Sequence, residues 1–198
     1  MTQPQGIIAF YGDEAEDSQG RTLNEILQWP AHELEYCHDY IQILFPLPER
    51  SAINDPAPIV DKEVFQAFRA RSDLRNRLKD SFQRMLWFYG FQLQKDNECR
   101  LEVRPGPTFT RHSRNWTIWS NHNHLRMTRI IRSLRILGLG EEALAFYTAI
   151  SQVRVVNPRS RMYWSRAATR PLYIAPHVDD KDIDTKNFSG PEFLKDLE

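Results

Sequence analysis

The chain has 198 residues, 41% of them hydrophobic and 12% aromatic, and its 26 basic and 26 acidic side chains cancel to zero net charge. That balance describes one folded domain with room for a core and excludes a disordered or collagenous chain. No apolar run approaches the roughly 18 residues of a membrane span, the start "MTQPQGIIAFYGDEAEDSQG" lacks a signal peptide's basic and apolar regions, and Cys37 and Cys99 are too few for a disulfide framework, so an intracellular protein, cytoplasmic or nuclear, with free thiols and no membrane partner is expected.

In chain order, "RTLNEILQW" carries Thr22 and Glu25 at capping-box spacing, and Pro30 at a first helical position opens a helix, "PAHELEYCHDYIQILF", that Pro46 and Pro48 end. A proline-rich loop, "PLPERSAINDPAPIV", follows. Asp61 is placed to cap "KEVFQAFRA" and Ser72 to cap "DLRNRLKDSFQRMLWFY", which Gly90 closes as a left-handed stop. Residues 91–119 read as a long, partly structured loop, with "RPGP" as a turn and a short strand from Cys99 to Val103. Next, "NHNHLRMTRIIRSLRIL" runs to Gly138 and Gly140, and "EEALAFYTAISQVRVV" makes the last large helix before Pro158. The end, "DDKDIDTKNFSGPEFLKDLE", is polar, with one amphipathic turn after Ser189 and Pro191. The predicted fold is mainly α: an irregular single-domain helical bundle over residues 1–156, with the loop before its penultimate helix, and a C-terminal extension over 157–198 acting as a docked tail or lid.

The zero net charge conceals a division. Residues 1–50 hold 2 basic and 9 acidic side chains, whereas residues 100–170 hold 13 arginines, no lysine and 3 glutamates. Either the acidic half packs against the basic half, or the arginines bind an anionic ligand. The first is favoured, and nucleic acid is disfavoured as a partner, because nucleic-acid binders usually carry a surplus of positive charge.

On a helical wheel Met127, Ile130, Ile131, Leu134 and Leu137 share one face, which Asn123 and His124 extend toward the helix start. Arg129 and Arg132 lie opposite, beside Leu125 and Ile136, which suggests a central helix packed on two sides with buried arginine stems that need anionic partners. His122 points away from His124, since two residues turn a helix by about 200°. No metal-ligand spacing occurs anywhere, so no metal is expected. With Ser120 or Asn121 as cap, both histidines stand in the first turn, where the macrodipole disfavours imidazolium and a neutral ring can act as a base. The plainer alternative is that Asn123 and His124 satisfy the backbone of the preceding loop. Earlier in the chain, Leu34, Cys37, Ile41, Leu44 and Phe45 share a face with His38 at its edge, while Asp39 points away. Trp87, Phe88, Tyr89 and Phe91 form a further dense patch, core by default and pocket wall by hypothesis.

Three segments, "HDYIQILFPL" at 38–47, "FQRMLWFYGF" at 82–91 and "NHNHLRMTRIIRSLRILGL" at 121–139, together resemble the conserved domain of the opioid growth factor receptor family, over about residues 7–155. "FYGD" near the start and "EEALAFYTAI" near the end agree with this resemblance. It implies a helical domain that in animal members binds an enkephalin-type peptide in a nuclear-associated receptor. It implies no catalytic residues. The chain shows neither the repeat-bearing tail of those members nor a clustered-lysine nuclear signal.

Three functional readings follow. In the first, a cavity walled by Trp87, Tyr89, Trp116 and Trp119, with His38, Asn121 and Asn123 among its lining and Arg126 fixing a polar end, holds a small amphipathic molecule or peptide. In the second, the same pocket belongs to a cofactor-independent isomerase, cyclase or pericyclase, with His124 or His122 as base and Arg126 stabilising negative charge. The absence of a glycine-rich phosphate loop or a Gly-x-Ser-x-Gly elbow agrees with the expectation of no cofactor. In the third, the arginine-rich segment 100–170 is an interaction surface, recognisable by a continuous basic face.

Overall fold

The computed structural model describes residues 4–50, 57–183 and 190–197, and it is a mainly α, single-domain structure with one small hairpin. Helix α1 (Pro4–Tyr11) lies against α5 (Lys62–Ala70) and α6 (Ser72–Tyr89). Between them run three short helices, α2 (Leu23–Gln28), α3 (Ala31–Tyr36) and α4 (Tyr40–Leu44). The capping box of α2 is formed, with Thr22 and Glu25 each satisfying the other's backbone N–H.

The single helix expected from Pro30 to Phe45 is instead broken into α3 and α4. Pro30 is the cap of α3 rather than its first residue, and Cys37 adopts extended backbone. The physical reason lies outside the segment: the Arg126 guanidinium takes the carbonyls of Leu34, Glu35 and Cys37, so the α3 carboxyl end is satisfied without the helix continuing. Part of the proline-rich loop, residues 51–56, lies outside the described residues, as does Ser189 before the last turn.

Asp61 caps α5 by accepting the Val64 N–H. The cap of α6 is Arg71, with Ser72 as its first helical residue. Gly90 ends α6 at φ 89°, and a Cβ there would sit 2.7 Å from the Phe109 Cα, so both the backbone angle and the close approach require glycine.

The expected irregular loop holds more order than its sequence suggests. Strands β1 (Phe91–Lys95) and β2 (Leu101–Pro105) form an antiparallel hairpin, with Leu93 opposite Val103 and Phe91 opposite Pro105. The strand expected at Cys99 begins at Leu101, because Cys99 occupies the left-handed region (φ 62°) inside a turn that the Asp96 carboxylate organises by accepting the N–H groups of Glu98 and Arg100. Helix α7 (Phe109–His112) and a 3-10 turn (Ser113–Asn115) complete the segment.

Helix α8 (His122–Ile136) packs on both α9 (Gly140–Ser151) and α10 (Pro158–Thr169). It buries Met127, Ile130, Ile131 and Leu134 on one side and Arg132 and Ile136 on the other, although Leu125 is 62% exposed and takes no part in the second interface. Trp164, Ala167, Leu172 and Leu194 join the same core as Phe82, Phe88 and Phe146. Helix α11 (Asp180–Ile183) and a 3-10 turn (Glu192–Leu197) close the chain.

Candidate functional site

The acidic and basic halves do meet. Arg132 pairs with Glu49 while donating to the carbonyls of Leu172 and Ile174, and Asn123 donates to Glu35, whereas Arg21 and its partner Asp39 both lie within the acidic half. Arg129 is different: it donates to the Phe45 carbonyl at 3.1 Å with no carboxylate of the described residues in contact, and burial pushes its pKa down to about 10.

The start of α8 is capped by Asn121, whose side chain accepts the Asn123 N–H at 2.7 Å. Asn123 and Arg126 are buried beneath the surface that the α3–α4 junction makes with α8. Arg126 donates to the carbonyls of Leu34 (2.7 Å), Glu35 (3.3 Å) and Cys37 (2.8 Å), to Asn123 Oδ1 (3.2 Å) and to His38 Nδ1 (3.2 Å). Its guanidinium carbon lies 5.5 Å from the centre of the Tyr40 ring. Above this buried frame Glu35 is shared: one oxygen faces His122 Nε2 at 3.2 Å and the other accepts from Asn123 Nδ2 at 3.1 Å. The His38 and His122 rings meet edge to face, 5.5 Å apart. Burial, and then the neighbouring Arg126 charge, hold the His122 pKa below its ordinary range, so this ring is neutral near pH 7.

His124 does not join this group. It is buried, with Nδ1 3.1 Å from Ser160 Oγ and Nε2 2.8 Å from the Trp116 carbonyl. The carbonyl requires a proton on Nε2, which leaves Nδ1 to accept from the serine hydroxyl. Desolvation lowers its pKa and only the Trp116 contact opposes this. Both nitrogens are committed to internal partners, so the ring joins the 116–120 loop to α10 and is not free to act as a base.

The four aromatic residues expected to wall one cavity are dispersed. Trp116 is fully buried and donates to the Tyr89 carbonyl at 3.0 Å. Tyr89 is fully buried, its ring stacked on Phe146. Trp87 lies under the Arg84 guanidinium, 4.0 Å from the ring centre, and edge-on to His112. Trp119 is 66% exposed. Trp116 can go inward because its indole N–H finds a buried acceptor in the Tyr89 carbonyl, and Tyr89 because its ring packs on Phe146. Of the ten residues expected at the site, His38, His122, Asn123 and Arg126 are brought into contact, and Asn121 caps the helix they share.

Hollows open elsewhere among the described residues. One, about 340 Å³, is lined by Trp29, His32, Glu33, Tyr36 and Cys37 and adjoins the Glu35 group through α3 and the Cys37 backbone. Another, about 950 Å³, runs between β2 and α9 past Leu101, Val103, Phe109, Leu144 and Val153. Sequence reasoning missed both, the second because the strand expected at Cys99 to Val103 was given no partner. Among the described residues no group of three or more histidine, cysteine, aspartate or glutamate side chains is arranged to hold a metal ion, and no helix is long and apolar enough to cross a membrane.

The model of the opioid growth factor receptor conserved region matches residues 6–156. This chain belongs to that family. The opioid growth factor receptor of Mus musculus is 39% identical over 139 residues, covering 67% of this chain and 21% of the relative. The Homo sapiens receptor is 34% identical over 136 residues, 67% and 20% of the two chains. The opioid growth factor receptor-like protein 1 of Xenopus tropicalis is 33% identical over 122 residues, 60% and 23%. The chain thus spans about a fifth of the receptors it matches. No solved structure matches it. Residues 38–47, 82–91 and 121–139, on which the resemblance to the opioid growth factor receptor conserved region rests, all fall within the matched span, and the first and third supply the His38, His122 and Arg126 group.

Proposed function

We propose that this domain is a ligand-binding module, and that its recognition surface is the Glu35, His38 and His122 group together with the adjoining hollow on α3. The carrying observation is the buried Arg126 guanidinium. It spends its hydrogen bonds on the carbonyls that end α3, and so fixes a carboxylate and two imidazoles at the surface on a frame that needs no ligand to form. The hollow beside them joins two aromatic rings, Trp29 and Tyr36, to the Glu33 carboxylate, which makes no ion pair among the described residues. Aromatic faces with an unneutralised carboxylate suit a cationic amine attached to an aromatic or apolar body. A peptide with a free amino terminus and an aromatic first residue has that chemistry, and the relatives' name, receptor for an opioid growth factor, agrees with a small ligand of this kind.

The cofactor-free enzyme has no comparable support. It needs a neutral histidine facing an enclosed cavity, whereas His124 has no free nitrogen and His122 is 42% exposed.

The test is calorimetric titration with short peptides that begin with tyrosine, each with its amino terminus free or acetylated. Acetylation and Glu33→Gln should each weaken binding about tenfold or more, the loss of one charge-assisted contact. Equal binding of free and acetylated peptides, or binding indifferent to Glu33→Gln and Tyr36→Ala together, would remove this surface as the site.

A further inference from the structure

After internal pairing, the arginine-rich half keeps a residue of uncompensated charge in one place. Arg126, Arg129 and Arg132 are spent on backbone carbonyls and Glu49, and Arg166 and Arg170 on Asp180. Arg111, Arg114, Arg154, Arg159 and Arg161 remain, all exposed and none in an ion pair among the described residues. No acidic residue lies between Glu102 and Glu141 or between Glu142 and Asp179. These two acid-free stretches are joined where the Asn157 backbone N–H and side chain both donate to the Trp119 carbonyl, at 3.1 and 2.6 Å. Arg114 sits on the turn leading into that junction, Arg154 just before it, and Arg159 and Arg161 in the first turn of α10. Glu35, across the start of α8, is taken up by His122 and Asn123.

Apolar side chains are exposed at the same junction. Ile118 (45%), Trp119 (66%), Val155 (49%) and Met162 (38%) are four of the seven large hydrophobic residues left exposed in the described structure. Met162 and Arg159 share the outer face of α10, opposite the buried Trp164 and Ala167. Folding does not call for Ile118 and Trp119, since a loop tip loses nothing by carrying serine in their place.

We infer that this face is a docking surface for an anionic lipid bilayer. Exposed arginines beside an exposed indole and three exposed apolar side chains match a membrane interface in both respects: guanidinium groups meet lipid phosphates and carboxylates, while tryptophan at headgroup depth lets the apolar residues reach the acyl boundary. Single-stranded nucleic acid would use the arginines and the indole but gain nothing from Ile118, Val155 and Met162, because bases stack on rings. The aliphatic component therefore decides between the two. This surface shares no residue with the α3 hollow and stands or falls separately.

The experiment is sedimentation of the full chain with phosphatidylcholine vesicles, with and without phosphatidylserine, combined with quenching of tryptophan fluorescence by brominated lipid. Binding should require phosphatidylserine and weaken with salt. Arg154→Glu with Arg159→Glu should lower partitioning about tenfold or more, as two reversed charges near such a surface imply. Ile118→Ser should weaken partitioning several-fold, and Trp119→Ala should in addition remove most of the quenching, because Trp116 and Trp164, on the same loop and helix, are fully buried and Trp29 and Trp87 belong to other elements. Unchanged circular dichroism and melting would show that the exposed substitutions leave the fold intact. Absence of binding to phosphatidylserine vesicles at low salt overturns the proposal. So does vesicle binding indifferent to Ile118→Ser and Trp119→Ala, or oligouridylate binding that is tighter than vesicle binding and insensitive to Ile118→Ser.

Discussion

Arg126 shows how one residue can determine both a local fold and a surface. Replacing it by methionine keeps the stem's packing but leaves the Glu35 and Cys37 carbonyls and Asn123 Oδ1 without this donor, while the Leu34 carbonyl keeps only the Tyr40 hydroxyl. At about 1–3 kcal/mol per unsatisfied buried group, and with water able to reach the Glu35 end, the loss of unfolding free energy should be about 3–4 kcal/mol in urea denaturation. Arg126→Lys should restore only a minor part, because one ammonium cannot fork toward three carbonyls. An Arg126→Met protein as stable as the wild type would mean that α3 ends where it does for reasons of its own sequence. His124 makes a prediction of a different kind. Its pKa is lowered in the folded protein from an ordinary value of 6.5, so the unfolded chain binds a proton that the native ring refuses. The stability this gives is fully present above pH 6.5 and is lost as pH falls from there toward the folded pKa. Stability measured from neutrality to about pH 5 should fall more steeply in the wild type than in His124→Gln, which removes that proton uptake. Parallel slopes would mean that the native state admits the proton without cost.

At the level of elements, Gly90 is the joint on which the hairpin hangs. Gly90→Ala forces an L residue to φ 89° and drives a methyl to 2.7 Å from the Phe109 Cα, so α6 and α7 must separate. A loss of about 1–3 kcal/mol is expected from the backbone alone, with a further loss from the displaced Phe109, and a melt should show the α7 to Trp116 region yielding first. Gly90, like Thr22, Asp61 and Asn121, was legible in the sequence because its signal is local: a cap or a left-handed stop is chemistry between neighbours. Two features were not legible for the opposite reason. The break at Cys37 is caused by an arginine 89 residues later, and no periodicity within 30–45 could reveal it. Of the hairpin only the second strand was legible, expected at Cys99 to Val103; its partner β1 was read as loop because the strands gain their burial from α6 and α9 and alternate only weakly on their own. The same distinction divides the candidate site. Asn123 and Arg126 stood out by position on one helix, whereas the placement of Glu35 between His122 and Asn123, and the burial of Trp116, depend on which surfaces meet.

At the scale of the molecule, the family match and the folding unit end at different places. The match stops at residue 156, yet the structure after it completes interactions that the matched region begins. Trp164 fills the core and donates from its indole to the His124 carbonyl at 3.0 Å, and Ser160 supplies the partner of His124 Nδ1. Arg135 donates to the carbonyls of Ala167 and Arg170, both at 2.8 Å, and Arg132 to those of Leu172 and Ile174. A chain ending at 156 would therefore expose one face of α8 and leave two guanidinium groups short of their acceptors, Arg132 keeping only Glu49. The lost burial of Trp164 alone is worth about 3–5 kcal/mol by comparison with large-to-small core substitutions, and unfilled polar contacts add to it. Against a total of about 5–15 kcal/mol for a domain, the truncated chain should show no cooperative melt, while a chain ending at 183 should keep one. A cooperative transition in the 156-residue form would mean that α8 can find other cover for that face, and that α10 is an accessory to the fold rather than part of it.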